Sequence, residues 1–358
     1  MTTPILQDLP IKRPAILLTG GSGFLGRTII RELLSSDSIL DPKLIRVFDR
    51  NDFPGEKDPR LKFIPGDICN YSKIKEACQG IDIVIHSAAI VDWGTQPAET
   101  VFAVNVDGTR NVIRACQENQ VKFLVFTSSL DAIFGGKPLV NINEHISYPE
   151  RHPNMYCRSK FLAEVLVTEA NGCSLKTCVI RPADIYGEGD PFHIGSLVEM
   201  ARGGFYIRIG NGNARSQHVY VGNVAHAHLH AVRQFLEGNQ KMAGKIYFIT
   251  DQPASNFFTF YDHIVRESGY RIWPKNLRIP YRLAYFLGAL SEATAFILRP
   301  VKKYNPKFSR FAVTYTCTDF TFTADRAAAD FGYRSRYSPE EALERTIRFY
   351  RTQKESVQ

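Results

Sequence analysis

Between residues 15 and 182 the chain alternates short, nearly continuous apolar runs with helix-like or turn-like sequence. The runs are AILLT (15–19), LIRVFD (44–49), KFIPGD (62–67), IDIVIHSAA (81–89), FLVFTSS (123–129) and KTCVIRP (176–182). Runs of Val, Ile and Leu without polar alternation read as strands buried on both faces. Separated by helices, such strands build a parallel sheet covered on each side. This pattern predicts an α/β fold with a doubly wound parallel sheet over residues 14–182, preceded by an N-terminal lead (1–13). After Pro182 glycine and asparagine become frequent, as in GEGD and GNGN, and helices mix with short β-like runs such as KIYFIT (245–250). Residues 183–358 therefore read as a smaller C-terminal lobe, mainly substrate-binding, with elements near 218–250 returning to the sheet. Its last helix announces itself through Ser338 as N-cap, Pro339 at the first helical position and Glu341 three residues after the cap.

Residues 19–26 read Thr-Gly-Gly-Ser-Gly-Phe-Leu-Gly, after the first run and at the head of a helical pattern from Phe24 to Leu34. Gly20 or Gly21 lets the chain turn sharply, Gly23 lets the backbone approach a pyrophosphate, and Gly26 lets helix and strand pack closely. The helix N-terminus offers free N–H groups and a partial positive charge to phosphates. Alone, the triplet is weak evidence, since glycine-rich turns are common. Asp49 strengthens it: it ends the second run, 23 residues beyond Gly26, where a carboxylate binds the adenosine ribose hydroxyls of NAD. A carboxylate there repels a 2′-phosphate and so favours NAD, while the adjacent Arg50 could accept that phosphate and leaves NADP open. Asp67, at the end of the third run, would sit near the adenine. The ordinary readings of Asp49 and Asp67 are a strand-end turn and a capped turn. The whole pattern is that of a Rossmann-type domain.

Tyr156 and Lys160 stand four apart in NMYCRSK (154–160), at the start of a helical stretch, so both can address one pocket. A phenol with a pKa near 10 is a poor base at neutral pH. A neighbouring ammonium and a cationic nicotinamide favour the phenolate; lowering the pKa by about 3 units takes roughly 4 kcal/mol. Chance Tyr-x-x-x-Lys pairs are frequent, so a third member is needed. Ligands of parallel sheets sit beyond the carboxyl ends of the strands, where Ser128 and Ser129 lie. Ser129 is expected to hold a substrate oxygen and Ser128 to meet the cofactor; either could instead be a turn cap.

Thr19–Gly26, Asp49, Asp67, Ala88–Ala89, Asn105, Ser128–Ser129, Tyr156, Lys160 and Arg181–Pro182 fall in the order found in extended short-chain dehydrogenase/reductases, which the chain resembles over roughly residues 15–350. Through VNVDGTRNVI (104–113), RPADIYGEGD (181–190), HVYVGNVAHAHLHA (218–231), KIYFITD (245–251) and IPYRLAYFLGAL (279–290) it is most similar to the 3β-hydroxysteroid dehydrogenase family, which includes sterol 4α-carboxylate 3-dehydrogenases (decarboxylating). The resemblance implies NAD(P)-dependent oxidation of a sterol or steroid 3β-hydroxyl to the 3-ketone, with Ser129, Tyr156 and Lys160 catalytic. A 4α-carboxysterol would yield a β-keto acid that loses CO2 without a further catalytic residue. An isomerase step would need another acid–base pair, and none is legible. The resemblance also implies that Gly20, Ser22, Gly23, Phe24, Leu25, Gly26, Asp49, Arg50, Asp67, Ile68, Ala88, Ala89, Asn105, Ser128, Tyr156, Lys160, Pro182 and Ile185 surround the cofactor, with Pro182 and Ile185 flanking the nicotinamide. Two other classes stay open: another extended-family enzyme, such as a nucleotide-sugar epimerase or a reductase of a different alcohol, and a non-catalytic NAD-binding sensor.

Residues 279–304 form an apolar stretch interrupted by Ser291, Glu292 and Thr294 and flanked by Arg278, Arg282, Arg299, Lys302, Lys303, Lys307 and Arg310. Family members often carry a membrane-associating segment here. A glutamate is costly at a bilayer centre, so the helix over 281–298 is expected to lie at the membrane interface with a basic rim rather than to span. A core helix or a dimer contact is the alternative, and family members are often homodimers. The net charge of +8 comes from dispersed Lys and Arg without a recognised nucleic-acid motif, so no nucleic-acid partner is expected. Seven cysteines without a Cys-x-x-Cys pair, and an opening MTTPILQDLPIKRP without a basic start and apolar run, predict reduced thiols in a cytoplasmic setting, including the cytosolic face of a membrane such as the endoplasmic reticulum. His226, His228 and His230 have helical metal-ligand spacing but no obvious further ligand, and the chemistry needs no metal. Trp93 either lines the substrate site or sits in a surface loop.

Overall fold

The computed structural model describes residues 13–53, 55, 57–93, 96–298 and 308–356. The N-terminal lead therefore lies outside the described residues except for Arg13, as do Arg299, Lys302, Lys303 and Lys307 of the basic rim. Seven strands form one sheet in the spatial order Lys245–Ile249, Lys176–Pro182, Phe123–Thr127, Ile83–His86, Ala15–Thr19, Leu44–Asp49, Leu61–Pro65. Every neighbouring pair is parallel. Alternate residues feed two cores. Ile16, Leu18, Ile45, Val47, Ile83 and Ile85 face one side, with the helices Phe24–Leu34 and Val221–Leu236. Ala15, Leu17, Phe48, Val84, Leu124 and Phe126 face the other. Burial on both faces explains why the runs lack polar alternation.

Three of the apolar runs outlast their strands. The pairing stops at Pro65, His86 and Thr127, so Gly66–Asp67, Ser87–Ala89 and Ser128–Ser129 leave the sheet instead of extending it. The first strand lies between Leu44–Asp49 and Ile83–His86, so the chain winds outward in one direction and then in the other. The reversal opens a crevice at the carboxyl ends of these strands, and the three departing segments line it.

Smaller sheets flank this end. Ser255–Asn256, Arg215–Ser216, Phe320–Phe322 and Leu139–Ile142 form one, in that order, so a strand near residue 140 is held by one near residue 320. Asp184–Tyr186 pairs in parallel with His218–Tyr220. The predicted apolar helix spans Tyr281–Leu298, and at Gly288 it packs on the start of the helix Arg310–Thr316: a Cβ on that glycine would lie 2.9 Å from Arg310 N. The last helix, Pro339–Glu355, is capped by Ser338, whose hydroxyl accepts from the Glu341 N–H at 3.2 Å.

Candidate active site

The glycine turn is built by close approach. Gly20 makes the sharp turn, with φ +77°, and a Cβ there would lie 2.6 Å from Ala88 N. Gly21 instead packs on the second strand, where a Cβ would meet Val47 Cγ1 at 2.4 Å. Gly26 has no room either, since its Cβ would sit 2.1 Å from Gly20 O. Gly23 is different: a Cβ would meet only Gly20 O, at 3.2 Å, so its backbone faces open space at the head of the helix Phe24–Leu34. Asp49 is oriented by two backbone donors, Ser22 N–H on Oδ2 and Asn51 N–H on Oδ1, each at 2.9 Å. The Ser22 hydroxyl donates to Asn51 O.

One continuous cleft runs from this turn across the sheet edge. Gly20, Gly23, Phe24, Leu25, Gly26, Asp49, Arg50, Asp67 and Ile68 line one end; Ala88, Ala89, Ser128, Ser129, Tyr156, Lys160, Pro182 and Ile185 line the rest. Two predicted contacts stand behind the wall. Ser22 holds Asp49 rather than lining the cleft. Asn105 lies in a π-helical turn (Ala103–Gly108), accepts from Ile90 N–H at 2.8 Å, and donates to Ile90 O and Ser159 Oγ at 2.9 Å, so it braces the loop beside the site. The residues present fit a dinucleotide. A helix N-terminus without a Cβ, an oriented carboxylate for a ribose, and the buried Ser128 Oγ with no protein partner lie along its course.

The helix Met155–Glu169, capped by Asn154, carries Tyr156 and Lys160 on one face. Lys160 Nζ donates to Thr127 O at 2.9 Å and lies 5.2 Å from the centre of the Phe126 ring. Burial pushes its pKa down to about 8, against the pull of Asp131 and Glu164. The Ser129 hydroxyl donates to Asp131 Oδ2 at 2.6 Å. Around Tyr156 the protein's own groups disfavour the phenolate. Burial, and then the Asp131 carboxylate, push its phenol well above the ordinary value, with the nearby Ser129 hydroxyl opposing. The ammonium of Lys160 is held by Thr127, and a cationic nicotinamide is the other group expected to favour the phenolate.

The sequence of residues 17–280 matches the model of the 3-beta hydroxysteroid dehydrogenase/isomerase family. The chain is 35% identical over 348 residues to the human protein named 3 beta-hydroxysteroid dehydrogenase type 7, covering 92% of this chain and 94% of that one. The chain belongs to this family. It is accordingly an NAD(P)-dependent oxidoreductase of the extended short-chain type, with the cleft to match. Solved structures share the fold at low identity. A dTDP-glucose 4,6-dehydratase from Streptomyces venezuelae with NAD bound aligns with TM-score 0.72 at 19% identity, over 95% of this chain and 98% of that one. An epimerase from Methanothermobacter thermautotrophicus aligns with TM-score 0.76 at 17% identity, over 97% and 94%.

Beyond Tyr156 the cleft of this family member has a wall that the sequence scarcely announces. Trp93 lines it, as do Phe192, His193, Phe311 and Tyr315 from later segments. Trp93 meets His193, Phe311 and Tyr315 with ring centroids 5.3–5.8 Å apart. Asp131 and Asp184 are buried in the same wall, and Tyr315 donates to Asp184. A carboxylate two residues after a predicted catalytic serine was the one available signal for Asp131; the others converge only through the fold. His228 of the histidine triplet is used structurally, bonding Thr127 Oγ1 and Val224 O, each at 2.8 Å. Among the described residues no group of three His, Cys, Asp or Glu side chains is placed to hold a metal ion.

Proposed function

We infer that this chain oxidises the 3β-hydroxyl of a sterol or steroid to the 3-ketone. The observation that carries the reading is the position of Ser129, Tyr156 and Lys160 between a dinucleotide cradle and an aromatic wall of Trp93, Phe311 and Tyr315. Among the described lining residues the only Lys and Arg are Arg50, at the cradle end, and Lys160. A nucleotide sugar would leave its diphosphate without an arginine, whereas a flat apolar ring system suits this wall. Tyr156 exchanges the hydroxyl proton, Ser129 positions the substrate oxygen, and Lys160 holds the nicotinamide ribose; Asp49 takes the adenosine ribose, which favours NAD over NADP. The bound nicotinamide supplies the hydride acceptor. On this reading residues 14–182, with the strand Lys245–Ile249, hold the cofactor, and residues 183–358 mainly shape the substrate end.

The plain 3β-hydroxysteroid is preferred over a 4α-carboxysterol, because Asp92, Asp131 and Asp184 would face the substrate carboxylate. Purified protein with NAD is expected to form NADH with a 3β-hydroxysteroid. Faster turnover of a 4α-carboxysterol, with CO2 release, would replace that preference by the decarboxylating reading. No turnover of either, with NAD bound, would remove the sterol assignment altogether.

The same reading places the chain at a membrane surface. The helix Tyr281–Leu298 exposes Leu283, Phe286, Leu290 and Ile297, and it packs on the helix that carries Phe311 and Tyr315 into the cleft. Glu292 is committed to that packing: its carboxylate accepts from Arg310 N–H and Nε–H, each at 2.7 Å. Among the described residues no helix is long and apolar enough to cross a membrane. Interfacial docking would bring a lipid-dissolved sterol to the cleft mouth. Wild-type protein is expected to float with anionic vesicles, and Phe286→Asp with Leu290→Asp to stay behind. Wild type that does not float and sediments as a dimer would assign the face to self-association.

A further inference from the structure

The helix Arg310–Thr316 touches the exposed helix Tyr281–Leu298 on one side and the cleft on the other. Residues four apart on it share a face. Phe311 and Tyr315 line the cleft. Arg310 and Thr314 meet the neighbouring helix, which offers one face of its own: Tyr281, Tyr285, Gly288 and Glu292, spaced by three or four. Tyr281 Oη lies 3.4 Å from Thr314 Oγ1, and the Arg310 guanidinium 6.0 Å from the centre of the Tyr285 ring. A Cβ on Gly288 would lie 2.9 Å from Arg310 N and 3.0 Å from Ser309 C, so the two backbones touch. Glu292 accepts from Arg310 Nε–H and from Arg310 N–H, a donor at the head of its helix with no partner inside it, each at 2.7 Å.

A distant segment is fixed to the same helix. Ser309 is buried and caps the helix, its hydroxyl accepting from Ala312 N–H at 3.1 Å. The same hydroxyl donates its one proton to Trp93 O at 2.7 Å. The Trp93 ring then meets Phe311 and Tyr315, with centroids 5.8 and 5.3 Å apart. The aromatic wall thus hangs on Arg310–Thr316, and that helix hangs on Tyr281–Leu298. We propose that Ser309 and Glu292 are positioning residues for the substrate: through Arg310–Thr316 they hold Trp93, Phe311 and Tyr315 at the spacing a steroid ring system needs. This rests on the alcohol-oxidation reading above.

The reacting groups stand on other elements. Ser129 follows the strand Phe123–Thr127, and Tyr156 and Lys160 belong to the helix Met155–Glu169. The wall meets the part of the ring system remote from C3, and it does so equally before and during hydride transfer. Disturbing it therefore raises KM and leaves kcat. Close-packed interiors answer a misplaced contact by moving elements rather than by compressing them, and a shift of about 1 Å is enough to cost tenfold or more. Four substitutions separate the links. Glu292→Leu frees the head of Arg310–Thr316, and Gly288→Ala forces the two backbones apart. Ser309→Gly leaves a tolerated cap but drops the Trp93 bond, whereas Ser309→Thr keeps the hydroxyl.

With a 3β-hydroxysteroid that the wild type turns over, Gly288→Ala, Glu292→Leu and Ser309→Gly are each expected to raise KM at least about tenfold. Their kcat and NAD affinity are expected to stay within about threefold of wild type, as is the KM of Ser309→Thr. A second readout needs no turnover. The chain has two tryptophans, and Trp273 is half exposed. In a Trp273→Phe background the indole emission comes from Trp93 alone, and its maximum should move in Glu292→Leu and Ser309→Gly with no steroid present. Variants that bind NAD as wild type does, melt earlier, and keep the wild-type KM and Trp93 emission would overturn the proposal and leave these contacts structural only. Equal rises of KM in Ser309→Gly and Ser309→Thr would also overturn it. Wild-type protein that binds NAD but turns over no steroid alcohol would instead remove the underlying reading; an unmoved Trp93 emission would then still overturn the positioning.

Discussion

The ion pair behind the cleft can be turned into a quantitative prediction. Glu164 follows Lys160 by one helical turn and is 0% exposed; Arg181, on the strand ending at Pro182, is 1% exposed. They form a salt bridge, with Arg181 Nε donating to Glu164 Oε2 at 3.2 Å. Tyr148 donates to Glu164 Oε1 at 2.6 Å, and the guanidinium lies 4.9 Å from the centre of the Phe248 ring. The pair therefore ties the helix of Tyr156 and Lys160 to the central sheet. Glu164→Leu strands a buried cation and is expected to cost about 3–5 kcal/mol. Spread over the unfolding entropy of a chain this long, that is a fall in Tm of roughly 4–7 °C. Glu164→Leu with Arg181→Met removes both charges and leaves only the Tyr148 hydroxyl without its acceptor, a cost of about 1–3 kcal/mol. Urea melts followed by circular dichroism would measure Glu164→Leu, Arg181→Met and the double variant. The double variant should be more stable than Glu164→Leu alone. A single-variant loss below about 1 kcal/mol, or a double variant whose loss equals the sum of the singles, would refute the reasoning.

Two further outcomes follow from other contacts. Gly26→Ala drives a Cβ into Gly20 O and should cost about 1–3 kcal/mol of stability together with at least about tenfold in NAD affinity, read by titration calorimetry. His86, wedged between the Thr19 and Thr109 hydroxyls, has its pKa pushed down to about 3, first by burial and then by Lys160. Its folded pKa lies below the unfolded one, so its contribution is present at neutral pH and is lost as the pH falls. Relative to His86→Gln, wild type should lose about 1.4 kcal/mol per pH unit between about pH 6 and pH 4, measured by denaturant melts; parallel curves would refute it.

The sheet and the tight glycine turn were legible because each rests on local chemistry. Buried parallel strands require unbroken apolar runs, and Gly20 and Gly26 sit where no side chain fits. Tyr156 and Lys160 were legible through helical spacing. What the sequence could not reveal depends on distant segments meeting. Trp93, His193, Phe311 and Tyr315 share a wall although more than two hundred residues separate the first from the last. The runs ending at Asp67 and Ala89 continue past their strands, which stop at Pro65 and His86, because apolar or small residues go on to form the cleft rim. The burial of Tyr156 and the Asp131 carboxylate beside it were not legible, because helical spacing reports only the Lys160 neighbour. Leu139–Ile142 found its place only through Phe320–Phe322.

The most direct test of the account follows the hydrogen itself. A 3β-hydroxysteroid carrying deuterium at C3 should pass that label to the nicotinamide when mixed with NAD and wild-type protein, seen by mass spectrometry of the reduced cofactor. Tyr156→Phe should bind NAD with wild-type affinity and transfer almost none. Wild-type protein that binds NAD yet leaves the deuterium on the steroid would contradict the assignment of this cleft to steroid-alcohol oxidation.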